Sequence, residues 1–151
     1  MSDLCPCGPR RAVVLHVSLS KDELPCGRCG TGMPVEALKV PRELGHLLRR
    51  WLDQAFAIES LWFASADYED WAKGELDSGK SKINRLGVDL AKKLTPVLET
   101  WLYSAPHVGA RQAVDKYLHH CPSCHAPTED TGLLPKYGLG CKACRMAGSA
   151  E

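Results

Sequence analysis

Nowhere does this chain of 151 residues hold an apolar run approaching the roughly 20 residues that a membrane-spanning helix needs. That excludes a helical membrane protein. The N-terminus, MSDLCPCGPRR, has no apolar stretch between a basic start and a cleavage site, so it does not read as a secretory signal. A cytoplasmic protein is therefore expected, with its thiols kept reduced. An excess of charge is missing too: 19 Lys and Arg face 18 Asp and Glu, for a formal charge of +1. No Ser/His/Asp grouping, phosphate loop or metal motif with an open coordination position is visible. Neither catalysis nor a small-molecule substrate is expected. Residues 30 to 120 contain no cysteine at all.

That last absence gives the cysteines their meaning, because all 8 lie outside it. They come in four close pairs: Cys5 and Cys7, Cys26 and Cys29, Cys121 and Cys124, Cys141 and Cys144. A disulfide framework would spread more evenly and follow a signal peptide. Zinc, by contrast, takes four ligands at tetrahedral corners about 2.3 Å away when they are thiolates. Two cysteines separated by two residues can curl round one ion in a tight turn. Two such turns on neighbouring hairpins complete the tetrahedron, which is the zinc-ribbon arrangement.

The C-terminal set, Cys121-x2-Cys124 followed by Cys141-x2-Cys144, falls within the spacing expected of such a site. The N-terminal set is less regular, because Cys5-x-Cys7 precedes Cys26-x2-Cys29. There the alternative is three cysteines completed by His16 or water. The pairs could also combine across the chain, with Cys26 and Cys29 joining Cys121 and Cys124. Chain entropy opposes that by only about 1.4 kcal/mol, so the preference for local closure rests on a hairpin expected at each end. A thioredoxin-like redox pair would need a βαβ pattern beside it, and none is present. Two structural zinc ions are expected, each supplying roughly 10–16 kcal/mol of apparent binding free energy to a short end with little core of its own. Iron suits four thiolates as well.

Between the cysteine pairs the pattern is helical. Pro41 opens a segment with Leu44, Leu47, Leu48, Trp51, Leu52, Ala55, Ile58 and Trp62 at helical spacing. Arg42, His46, Arg49, Arg50 and Asp53 lie on its other face. A second helix is expected around Ile83, Leu86, Leu90 and Leu94, with Ser81 as N-cap and Arg85, Asp89, Lys92 and Lys93 outward. Strands are expected over 12–19 and 100–103, and extended chain over 117–120. Trp51 and Trp62 read as core residues, and His119, His120 and His125 as neighbours of a metal site rather than ligands. The fold class is therefore α+β: zinc-ribbon modules at 1–32 and 106–148 with a helical middle at 33–105, or all three as one compact unit.

The quoted residues resemble a bacterial family of zinc-ribbon proteins of uncharacterised function that carry a nucleic-acid-binding label. The likeness runs over 5–145. It comprises Cys5-x-Cys7, LPCGRCG followed by Met33, Pro34 and Val35, the Trp51 helix, SKINRLGVDLAKKL, the strand near Tyr103, CPSC and CKACR. Members of that family carry a further N-terminal region that this sequence does not include. The resemblance implies zinc and, beyond it, nucleic acid.

Charge qualifies the second implication. Each zinc held by four thiolates carries a net −2, which takes the doubly loaded protein to about −3, whereas a nucleic-acid domain is clearly basic. Binding would need segregated charge. Residues 80–93 carry five basic residues and one acid, while 59–77 carry six acids and one lysine. Candidate phosphate contacts are Lys82, Arg85, Lys92 and Lys93, then Arg42, Arg49 and Arg50, and Arg28, Lys142 and Arg145 beside the cysteine pairs. The other reading is a protein-interaction or regulatory module, toxin-neutralising roles included, with the acidic segment facing its partner.

Overall fold

The structure is a computed structural model and describes residues 5–17, 20–104 and 118–150. The end of the strand expected over 12–19, the lead-in at Tyr117 and the 105/106 boundary lie outside those residues.

Among the described residues, seven short strands and three α-helices follow in the order β1 (Val13–Leu15), β2 (Glu23–Pro25), β3 (Gly32–Pro34), α1 (Arg42–Ala64), α2 (Glu69–Asp77), α3 (Lys82–Leu94), β4 (Thr100–Tyr103), β5 (Glu129–Asp130), β6 (Leu139–Cys141) and β7 (Met146–Gly148). Strands β2 and β3 form an antiparallel hairpin of their own. The other five make one sheet in the order β1-β4-β7-β6-β5. Its left half is parallel, with Val14 opposite Trp101 and Leu102 opposite Met146. Its right half, β7-β6-β5, is antiparallel. One sheet thus takes strands from the N-terminal, middle and C-terminal regions set out from the sequence.

The pleat explains why β1, β4 and β7 are buried almost throughout. Parallel strands are commonly covered on both faces, and successive side chains point opposite ways. Val13, Leu15, Leu102 and Met146 meet the helices, where Leu48, Trp51, Leu52, Val88 and Leu94 pack. Val14, Trp101 and Ala147 face the other way and join Tyr137, Leu133 and Leu134. Full burial of a leucine such as Leu48 or Leu52 contributes about 1.5–3 kcal/mol.

Local chemistry sets the helices. Pro41 precedes α1 with extended backbone, and the buried side chains of α1 are Leu48, Trp51, Leu52 and Ala55. Trp62, expected in the core, is only half-buried, and Leu47, expected on the apolar stripe, is exposed. Ser81 caps α3 as expected, its hydroxyl accepting from the Asn84 amide at 3.3 Å. Helix α2 was not foreseen. It starts on Glu69 and Asp70, which suit the positive end of a helix dipole, and buries only Ala72. Its end is held from outside: the Asn84 Nδ2 donates to the carbonyls of Leu76 at 2.9 Å and Ser78 at 2.8 Å. Gly87 lets α3 approach the sheet and α1, since a Cβ there would lie 2.9 Å from Leu102 and 3.1 Å from the Trp51 indole nitrogen.

Candidate metal centres

Three of the cysteine pairs sit in turns that reverse the chain between extended segments, and the fourth leads into a 3-10 turn. Cys26 and Cys29 lie at the tip of the β2–β3 hairpin, closed by Cys26 N–H to the Thr31 carbonyl at 2.9 Å and Gly30 N–H to the Cys26 carbonyl at 2.8 Å. Cys141 and Cys144 occupy the tip of β6–β7 in the same way. Cys121 and Cys124 occupy a turn closed by a bridge between His120 and Pro127 and by the His125 amide on the Cys121 carbonyl at 2.8 Å. Cys5 and Cys7 are not on a hairpin. They lead into a single 3-10 turn, Gly8–Arg10, just before β1. The one-residue gap, with Pro9 following Gly8, suits that tighter geometry.

The residue after the second cysteine is left-handed in all four turns. Gly8 has φ 53°, Gly30 φ 79°, His125 φ 63° and Arg145 φ 59°. Reversing the backbone at that point folds the chain back over the pair, leaving both sulfurs on one side. Glycine adopts this conformation without penalty, whereas a residue with a Cβ costs roughly 1–2 kcal/mol there. Only the two glycines advertise the turn in the sequence.

Two clusters result: Cys5, Cys7, Cys26 and Cys29, and Cys121, Cys124, Cys141 and Cys144. Within each, the four sulfurs lie within 4.8 Å of one another. Cys5 and Cys29 are 3.6 Å apart, Cys7 and Cys26 4.0 Å, and Cys124 and Cys141 3.7 Å. A tetrahedron with metal–sulfur bonds of about 2.3 Å has edges of about 3.8 Å. The sulfurs therefore already stand near the corners that a four-thiolate ion requires, and each cluster could hold one metal ion. The cysteines are free thiols rather than disulfides. Cluster membership follows the local grouping, not the cross-chain one. His16 is no ligand: its Nδ1 lies 3.0 Å from the Tyr137 hydroxyl and its ring stacks on Tyr103. His119, His120 and His125 are exposed.

The thiols differ in readiness. Burial pushes Cys5 and Cys121 up to about 12, and burial also raises Cys7 and Cys144. The Thr31 hydroxyl, 3.4 Å from the Cys29 sulfur, brings Cys29 down to about 6. The Ala126 backbone amide brings Cys124 to about 7. Each cluster so holds a thiol with a lowered pKa, Cys29 in one and Cys124 in the other, and thiolate is the form that draws a cation. Cys5, Cys7, Cys121 and Cys144, whose pKa values burial raises, would give up their protons on metal binding.

The two centres meet in one framework. The Leu134 amide, from the C-terminal region, donates to the Gly27 carbonyl inside the first turn at 2.7 Å. Arg28, in the same turn, pairs with Glu99 at 2.6 Å and donates to the Arg10 carbonyl at 2.6 Å. Arg145, beside the second cluster, stacks 3.8 Å over the Trp101 ring and donates to the Thr100 carbonyl at 3.1 Å. Its guanidinium pKa is lowered by burial. Arg49 binds the Lys21 carbonyl, Asp22 and Glu36. Three of the candidate phosphate contacts are thus engaged within the fold. The remainder, Arg42, Arg50, Lys82, Arg85, Lys92, Lys93 and Lys142, are exposed. Among the described residues, no helix is long and apolar enough to cross a membrane.

Comparisons of the chain with protein-family models, with curated proteins and with solved structures return no match.

Proposed function

We propose that this is a protein with two structural zinc ions that binds nucleic acid through the outer face of α3. One observation carries the reading: Lys82, Arg85, Lys92 and Lys93 are exposed on one face of that helix, and no ion pair engages them among the described residues. Asp89 is the one acid among them. The arginines held inside the fold leave this helix as the main basic surface, which reconciles a weakly charged chain with a phosphate backbone. Zinc is the natural occupant of four thiolates, and with all four positions taken by protein it has no open site for catalysis. The paired turns on β5–β6–β7 support reading the C-terminal module as a zinc ribbon, as does the resemblance to bacterial zinc-ribbon proteins. Free thiols belong to a reducing compartment, so we assign the protein to the cytoplasm.

A second reading has its own support. Phe63, Tyr68 and Trp71 are 68%, 60% and 53% exposed at the junction of α1 and α2, within the acidic segment 59–77. Exposed aromatics rimmed by charge suit a protein partner, which would make the chain an adaptor or regulatory module, toxin-neutralising roles included.

Fluorescence anisotropy with a labelled random duplex, run across a salt series, separates the two. Four phosphate contacts give a slope of about −3.6 in log affinity against log salt. The quadruple variant K82Q/R85Q/K92Q/K93Q should abolish binding. Binding that ignores salt, or that survives this variant, contradicts the nucleic-acid reading.

A further inference from the structure

Beyond the metal centres, the molecule has an apolar cavity of about 280 Å³ between the helices and the sheet. It opens where β1 and β4 end, with Leu15 and Val17 on one side and Leu102 and Tyr103 on the other. Ligands of open parallel sheets bind outside the carboxyl ends of the strands, and this cavity occupies that position. Its volume is near the lower end of the roughly 300–1,000 Å³ of small-molecule sites.

The lining is selective in its chemistry. Among the described residues, Trp62, Phe63 and Tyr103 contribute aromatic rings, neither lysine nor arginine contributes, and Glu59 is the one carboxylate. It is half-buried, and among the described residues it has neither a hydrogen bond nor an ion pair. Burial alone lifts its pKa from 4.5 to about 7. A carboxylate so placed works against folding unless something pairs with it. Of the other titratable groups on the described wall, His16 is already bonded to the Tyr137 hydroxyl, and burial raises the pKa of the Tyr103 phenol, which keeps it neutral.

We infer that this cavity binds a small organic cation, an ammonium or guanidinium group on an apolar body, with Glu59 as its counter-ion. The carboxylate supplies the charge partner and the ring faces supply cation–π attraction. The apolar walls, Ala55 and Ile83 among them, cover the body of the ligand. An anion would meet an uncompensated carboxylate here. A neutral molecule would leave Glu59 without its partner.

The test uses the full-length, zinc-loaded protein and three probes of similar shape: 2-phenylethylammonium, 2-phenylethanol and 3-phenylpropionate. Binding is read by calorimetry and by tryptophan emission, since Trp51 and Trp62 line the cavity. The ammonium should bind about tenfold or more tightly than the alcohol, and the propionate weakest of all. Glu59→Gln, which keeps the shape, should erase the preference for the cation while leaving the circular dichroism unchanged. Equal binding of ammonium and alcohol would overturn the inference. So would an unchanged ammonium affinity in Glu59→Gln, or no saturable ammonium binding at millimolar concentration.

Discussion

At His125 and Arg145 the backbone takes φ of 63° and 59°, where a side chain is penalised, because the turn that aims the sulfurs needs it. Gly8 and Gly30 hold the matching places in the N-terminal cluster at no such penalty. The cost falls on folding and would be offset by metal binding, whose scale is far larger. His125→Gly should therefore stabilise the zinc-loaded protein by up to about 1 kcal/mol, after allowing for the freer unfolded chain. Gly30→Val should destabilise it by more than that. Urea denaturation of both variants decides the matter, and a stabilised Gly30→Val would refute the shared turn. The two four-cysteine groups were readable in the sequence, since the cysteines come in close pairs at either end of it. Left-handed residues at 125 and 145 were not, because neither His nor Arg signals that conformation.

Among the elements, α1, α3 and β4 followed their patterns, while α2 was missed. The segment 69–77, EDWAKGELD, has no continuous apolar stripe and buries one alanine. What ends it is a single residue of the next helix, Asn84, whose amide caps its last carbonyls. A cap supplied from another helix leaves no trace in the capped segment's own sequence. Asn84→Leu would strip those carbonyls of their donor in a buried place, at about 1–3 kcal/mol. Hydrogen exchange should then show the amides of α2 losing protection while those of α1 keep theirs. Uniform protection in both helices would mean that α2 stands without the cap. The loop after α2 also bears on the second centre. A Cβ on Gly79 would come within 2.2 Å of the Pro122 carbonyl oxygen, so this loop and the Cys121 turn lie in direct contact.

On the scale of the whole molecule, the sequence read as two metal modules flanking a helical middle, or as all three in one compact unit, and β1, β4 and β7 lie side by side in one sheet. Strands of three or four residues, paired in parallel across most of the chain, carry too little pattern to announce their partners. The consequence is mechanical. The first centre rests on Leu134 through Gly27 and on Glu99 through Arg28, and the second rests on Thr100 and Trp101 through Arg145. The two sets of supports converge on β4, since Glu99 immediately precedes it and Thr100 and Trp101 lie in it. The basic face of α3 and the acidic segment 59–77 are carried by this one framework as well.

The most direct measurement is zinc content per chain by elemental analysis, joined to a chelator titration followed by circular dichroism. Two zinc ions per chain, with both helix and sheet signals lost in a single transition as the metal leaves, is the expected result. One zinc or none per chain, or a fold that stays intact after both ions are removed, would contradict the account of two structural four-cysteine centres sharing one sheet.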